Sequence, residues 1–173
     1  GLTNSEYFMY NYNDNILYKY GYDYSNKIGN DLYDANIVHT IIHHNFKSPL
    51  MDIKCGEYFA LFLTINGNVF GCGNNDWGQL NRYNKKIPSN VSKDNSIVNI
   101  MDKNNITSIN CCKNTSYMLN NNNILMSFGS NIVGELGINN YKVIRTNKIN
   151  VVLNGNKILQ FSCGQTHIGC LTI

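Results

Sequence analysis

Apolar positions in this chain come in short runs broken by glycine, asparagine and charged residues, most legibly from Met51 to Leu80, MDIKCGEYFALFLTINGNVFGCGNNDWGQL. The pattern predicts an apolar strand, a Cys-Gly step, a second apolar strand, an Asn-Gly turn, a third strand and a glycine-punctuated loop. Helical repeats would place apolar residues every three to four positions. These segments instead alternate, or run apolar for about five to eight residues and then turn, which is the strand signature. Asn66-Gly67 between two such runs predicts a type I′ hairpin, in which both central residues take positive φ. The chain is predicted to be all-β.

The same order of parts recurs. Ile53 to Ile65, IKCGEYFALFLTI, returns as Ile109 to Asn121, INCCKNTSYMLNN, and as Phe161 to Ile173, FSCGQTHIGCLTI. Cys55, Cys111 and Cys163 coincide, as do Leu63, Leu119 and Leu171. Val69 to Leu80, VFGCGNNDWGQL, returns as Leu125 to Leu136, LMSFGSNIVGEL, and more faintly as Leu17 to Ile28, LYKYGYDYSNKI. Gly21, Gly73 and Gly129 lie 52 and 56 residues apart, and the three cysteines 56 and 52. Two sets of landmarks thus agree on one period, and a period of about 50 residues with four strand signals has the length of one four-stranded propeller blade.

The order CGxxH, apolar strand, turn, GxNxxGQLG resembles the repeat of the regulator of chromosome condensation family, whose propellers have about seven blades. Cys163, Gly164 and His167 match its first half, with Cys55 and Gly56 standing likewise in the central copy. Gly73, Gly78, Gln79 and Leu80 match its second half, echoed by Gly129, Gly134 and Leu136. Phe59 and Thr115 stand where that family usually has His, Cys112 where it has the Gly after Cys, and Asn81 where it has the last Gly. The resemblance implies a structural role for these positions, with the His167 ring bonding backbone of a neighbouring strand or loop. Repeats are expected at about 1–52, 53–108 and 109–160, with a further one starting at 161–173. Three blades are fewer than the four to eight that close a ring. The expectation is therefore a partial propeller, either a piece of a longer one or a chain whose copies associate through open blade edges. Gly1 is read as the remnant of a cleaved tag, the numbering then starting inside a longer protein.

Composition narrows the function classes. Only 14% of the 173 residues are charged, and 32 are Asn. The Asn run 120–123 falls where another copy has its Ile65 to Asn68 turn, and reads as an expanded turn. The net charge of +3 is spread along the chain, with Arg82, Lys85 and Lys86 the densest cluster, which argues against a nucleic-acid surface. No apolar window is long enough for a membrane helix, and the N-terminus has no signal-peptide core, so an intracellular protein is expected. With no mark of secretion, the six cysteines are expected as free thiols; Cys111 and Cys112, adjacent on a strand, point to opposite faces and offer no zinc spacing. His39, His43 and His44 lie in a β-branched stretch read as a strand with a polar end. GCGNNDWG resembles a phosphate-binding glycine loop, but the residues after Leu80 show no helical period and contain Pro88, so neither nucleotide cofactor nor metal is expected.

No acid, base or nucleophile is spaced for catalysis. The variable stretches Asn81 to Asn105 and Ile138 to Asn156 instead suggest rim loops that bind partners. Trp77, with Asp76, Arg82, Tyr83, Lys85 and Lys86, is the candidate partner-binding loop, and its indole either projects as a hot spot or folds back onto the blade. The expected function is a non-enzymatic protein-interaction scaffold within a larger protein. The family resemblance implies an alternative, guanine-nucleotide exchange on a small nuclear GTPase with chromatin association.

Overall fold

A computed structural model describes residues 6–21, 38–42, 46–81, 97–101, 105–138 and 146–173. All the strands pair antiparallel with their sequence neighbours, in four successive sheets. The first holds β1 (Glu6–Asn11), β2 (Ile16–Gly21) and β3 (Val38–Ile42). The second holds β4 (Leu50–Cys55), β5 (Phe59–Thr64), β6 (Val69–Gly73) and β7 (Val98–Met101). The third holds β8 (Ile106–Cys112), β9 (Thr115–Asn120), β10 (Leu125–Gly129) and β11 (Thr146–Val151). The fourth pairs β12 (Ile158–Cys163) with β13 (Ile168–Thr172). No α-helix occurs among the described residues, and a 3-10 turn at Val152–Gly155 links the last two sheets. His39 lies in β3, while His43 and His44 fall outside the described residues.

Why the sheets stack is written in β5. All six of its residues are buried, so it runs apolar from Phe59 to Leu63 rather than alternating, yet its two faces serve different cores. Ala60 and Phe62 join Phe8, Leu17, Phe46 and Phe70 between the first and second sheets. Phe59, Leu61 and Leu63 join Ile109, Met118 and Phe128 between the second and third. One repeat later Met118 shares that second core, while Tyr117 and Leu119 meet Ile158 in a core toward the fourth sheet. The second and third sheets are thus each the filling between two neighbours, the face-to-face stacking of propeller blades. β4, β8 and β12 contact each other in succession, which makes the first strand of the second, third and fourth sheets the inner one.

Backbone hydrogen bonds tie the blades together at one spacing. Ile106 N donates to Gly67 O at 3.2 Å, and Ile158 N to Asn123 O at 2.8 Å. At the opposite end Glu57 N donates to Lys113 O at 2.8 Å, and Lys113 N to Gln165 O at 3.1 Å.

The hairpins differ from expectation in two respects. Gly67, not Asn66, has positive φ, at 75°. Its N–H bonds Thr64 O at 2.9 Å, and Thr64 pairs with Asn68 across a three-residue loop. The turn is the three-residue type closed by a left-handed residue, not type I′. Nor is the Asn run an expansion: Asn120 pairs with Ile124 across an equally long loop, with Asn123 at φ 61° in the place of Gly67. Asparagine tolerates the left-handed region because its short amide bonds nearby backbone.

Candidate partner-binding rim

Because β5 begins where β6 ends, the turn before β5 and the loop after β6 share one rim. Phe59 pairs with Gly73 there, and in the next blade Thr115 pairs with Gly129. Loop 74–81 is held by its own side chains. Asn75 Oδ1 accepts Leu80 N–H at 2.7 Å, Gln79 Oε1 accepts Trp77 N–H at 2.9 Å, and Asn74 Oδ1 accepts Gln79 Nε2 at 2.9 Å. Loop 130–137 repeats the frame. Asn131 Oδ1 accepts Leu136 N–H at 3.0 Å, Glu135 Oε2 accepts Val133 N–H at 2.8 Å, and Ser130 Oγ donates to Glu135 Oε1 at 2.8 Å. The swaps are coupled: an acceptor at 74 meets an amide donor at 79, and a hydroxyl donor at 130 meets a carboxylate at 135. Buried polar groups have to be paired, so one side of such a pair cannot change alone.

The frame is anchored to the blades. Leu80 and Leu136 are fully buried, Leu80 in the core between the second and third sheets. Ser116 Oγ donates to Gln79 O at 2.6 Å from the next blade, Ser127 Oγ to Leu136 O at 2.8 Å, and the buried Tyr117 hydroxyl to Glu135 O. Gly78 and Gly134 have φ of 84° and 87°, and Asn81 at φ 47° occupies the conformation that Gly137 takes at 64°. The missing last glycine of the motif therefore costs little, since asparagine reaches the same conformation.

The first half of the motif also resolves into packing. Gly56 N–H bonds Phe59 O at 2.9 Å and Gly164 N–H bonds His167 O at 2.9 Å. In both turns the ring of the later residue lies over the glycine: a Cβ at 56 would stand 2.0 Å from the Phe59 ring, and one at 164 would stand 2.3 Å from the His167 ring. Cys112 replaces that glycine where the later residue is the small Thr115, whose Oγ1 donates to Ser130 O at 3.0 Å. Departures at 112 and 115 are thus one change, a Cβ admitted because a ring is gone. Cys55 is half-buried on the inner strand β4, and Cys163 ends β12, also half-buried.

What the frame leaves outward is the third and fourth loop positions. These are Asp76, exposed and bonded to Asn74 Nδ2 at 2.7 Å, and the half-buried Trp77. In the next loop they are Ile132 and Val133, exposed by 49% and 64%. Tyr58, whose carbonyl accepts Asn74 N–H at 2.8 Å, is exposed on the same rim. Arg82, Tyr83, Lys85 and Lys86 lie outside the described residues. Ile132 and Val133 were missed by sequence reasoning, although an apolar pair inside an otherwise polar, capped loop was a visible signal. Glu57 and Lys113, from adjacent turns, bridge at 3.6 Å; both are partly exposed, so the contact orients the turns more than it stabilises them. Among the described residues no three His, Cys, Asp or Glu side chains gather as metal ligands would, and no helix is long and apolar enough to cross a membrane.

Successive stacked antiparallel sheets, two of them four-stranded among the described residues, and a rim of capped loops define the chain as a β-propeller segment. A family model for the Regulator of chromosome condensation (RCC1) repeat matches residues 52–79. The probable E3 ubiquitin-protein ligase HERC6 of Homo sapiens is 30% identical over 124 residues, 69% of this chain and 11% of that protein. An RCC1 repeat-containing protein of Dictyostelium discoideum is 28% identical over 162 residues, 86% of this chain and 32% of that one. Among solved structures, Prp20p of Saccharomyces cerevisiae, studied for its binding to Gsp1p and histones, superposes with a TM-score of 0.77 at 17% identity, covering 99% of this chain and 43% of that one. The chain belongs to the regulator of chromosome condensation repeat family of β-propellers. It spans about a tenth to a third of the length of these curated relatives.

Proposed function

We propose that this propeller segment is a protein-binding scaffold within a larger protein, and that the tips of loops 74–81 and 130–137 are contact points. One observation carries the reading: an equivalent internal hydrogen-bond frame holds different outward residues in successive blades, Asp76 and Trp77 in one, Ile132 and Val133 in the next. A rigid frame removes the entropy cost of ordering a loop at binding, and exposed apolar tips supply area to bury. The likeness to Prp20p concerns the fold, so exchange on a small GTPase stands as the competing outcome.

The test is capture from cell extract with the full-length protein, comparing wild type with Ile132→Asp/Val133→Asp and with Ile65→Asp on the opposite rim. Proteins retained by wild type and by the Ile65 variant, but reduced at least about tenfold by the double variant, support the reading, since a buried anchor is worth about 1.4 kcal/mol or more. Equal retention by all three overturns it. In parallel, GDP release from a small GTPase accelerated by wild type and unchanged by the tip variants favours exchange through another surface.

A further inference from the structure

We propose that Cys112 and Cys163 are a redox-active thiol pair that joins adjacent blades by a reversible disulfide. Cys112 ends β8 and Cys163 ends β12, the inner strands of neighbouring sheets. Cys112 is buried in the core between the third and fourth sheets, and the half-buried Cys163 packs against that same core. Cys112 Sγ also lies 3.6 Å from His167 O, the carbonyl that Gly164 N–H holds directly after Cys163. The residues that follow each cysteine are tied by the Lys113 N to Gln165 O bond of 3.1 Å, so the backbone already clamps the two strand ends together.

The pair exists because of one coupled change. At the equivalent turn one blade earlier Gly56 stands where Cys112 stands, beneath the Phe59 ring, and offers no thiol to Cys111. Thr115 clears that space, and the side chain admitted there is a second sulfur. Neither Cys112 nor Cys163 is in a disulfide in this structure. Burial pushes the neighbouring Cys111 thiol up. The thiolate is the reactive form of a cysteine, and of the two sulfurs Cys112 is buried while Cys163 is half-buried.

The oxidant is a peroxide. One of the two sulfurs takes an oxygen from hydrogen peroxide to become a sulfenic acid, the other peroxide oxygen leaving as water, and the second sulfur then displaces the hydroxyl as a second water. Two S–H bonds and one O–O bond break, one S–S bond forms, both sulfurs are oxidised and peroxide is reduced. A cellular dithiol reverses the step by exchange. The bond closes the chain between residues 112 and 163, which restricts the unfolded state and fastens the blade seam.

The experiment treats the full-length protein with hydrogen peroxide, alkylates without reduction, digests and sequences linked peptides by mass spectrometry. The expected result is a Cys112 peptide joined to a Cys163 peptide, released by dithiothreitol, retained in Cys111→Ser and reduced at least tenfold in Cys112→Ser and Cys163→Ser. Cys112→Gly, which restores the residue found at 56 and 164, should fold as wild type does and form no link. Recovery of both cysteines as alkylated peptides from peroxide-treated wild type overturns the proposal, as does a link to Cys163 that survives Cys112→Ser.

Discussion

Replacing Gly129 by alanine is expected to cost about 4 kcal/mol of folding free energy. Gly129 ends β10 at φ 117°, a region closed to L-residues, and a Cβ there would stand 2.4 Å from Asn114 O and 3.0 Å from Thr115 Cα. Both contacts are backbone and cannot swing away. The same Asn114 carbonyl accepts Ser130 N–H at 3.0 Å, the bond that starts loop 130–137, so relief of the clash detaches the loop frame. Gly134→Ala is the control. Its φ of 87° is also positive, but nothing lies within 4 Å of the added carbon, so strain alone remains and about 1–2 kcal/mol is expected. Urea unfolding of the full-length protein checks the pair; equal losses at the two positions would contradict the packing argument.

Phe62→Ala is expected to cost about 3–5 kcal/mol by the same measurement. Phe62 is fully buried and is the contact through which β5 reaches the first sheet. Its ring meets Phe8 edge-on at 5.4 Å and Phe46 at 6.0 Å, so truncation removes the aromatic contacts on that face and opens a cavity between two sheets that cannot close without moving a whole blade. Phe8 reaches the same core from β1 and is itself nearly buried. A loss below about 1.5 kcal/mol would mean that the two sheets are not held face to face as described.

Much of this architecture was legible in the chain. A strand buried on both faces is mostly apolar, which is why FALFLT stood out, and the period was read from the recurring glycines and cysteines around it. Gly73 and Gly129 were legible as one position because no other residue fits against the carbonyl of the preceding hairpin; their shared geometry explains a recurrence that composition alone leaves unexplained. The turn type was not legible, since Asn-Gly serves both a two-residue and a three-residue loop and the choice depends on whether Thr64 or Ile65 pairs across it. The frame of the rim loops was partly legible. Gln79 and Glu135 differ in charge but share length and an acceptor oxygen, and that pair of facts points to an inward hydrogen bond. What they accept from could not be read, because Trp77 N–H and Val133 N–H come near only when the loop has closed. The candidate site was the least legible: a binding tip is defined by what the frame leaves outside, and the frame has to be known first.

Site-specific photo-crosslinking in living cells tests the central claim most directly, with a benzophenone amino acid placed in the full-length protein at Val133, on the proposed rim, or at Ile65, on the opposite rim. Heavier covalent adducts are expected from position 133, lost when Ile132→Asp is added, and few or none from position 65. Adducts from position 65 alone, or none from either, would contradict it.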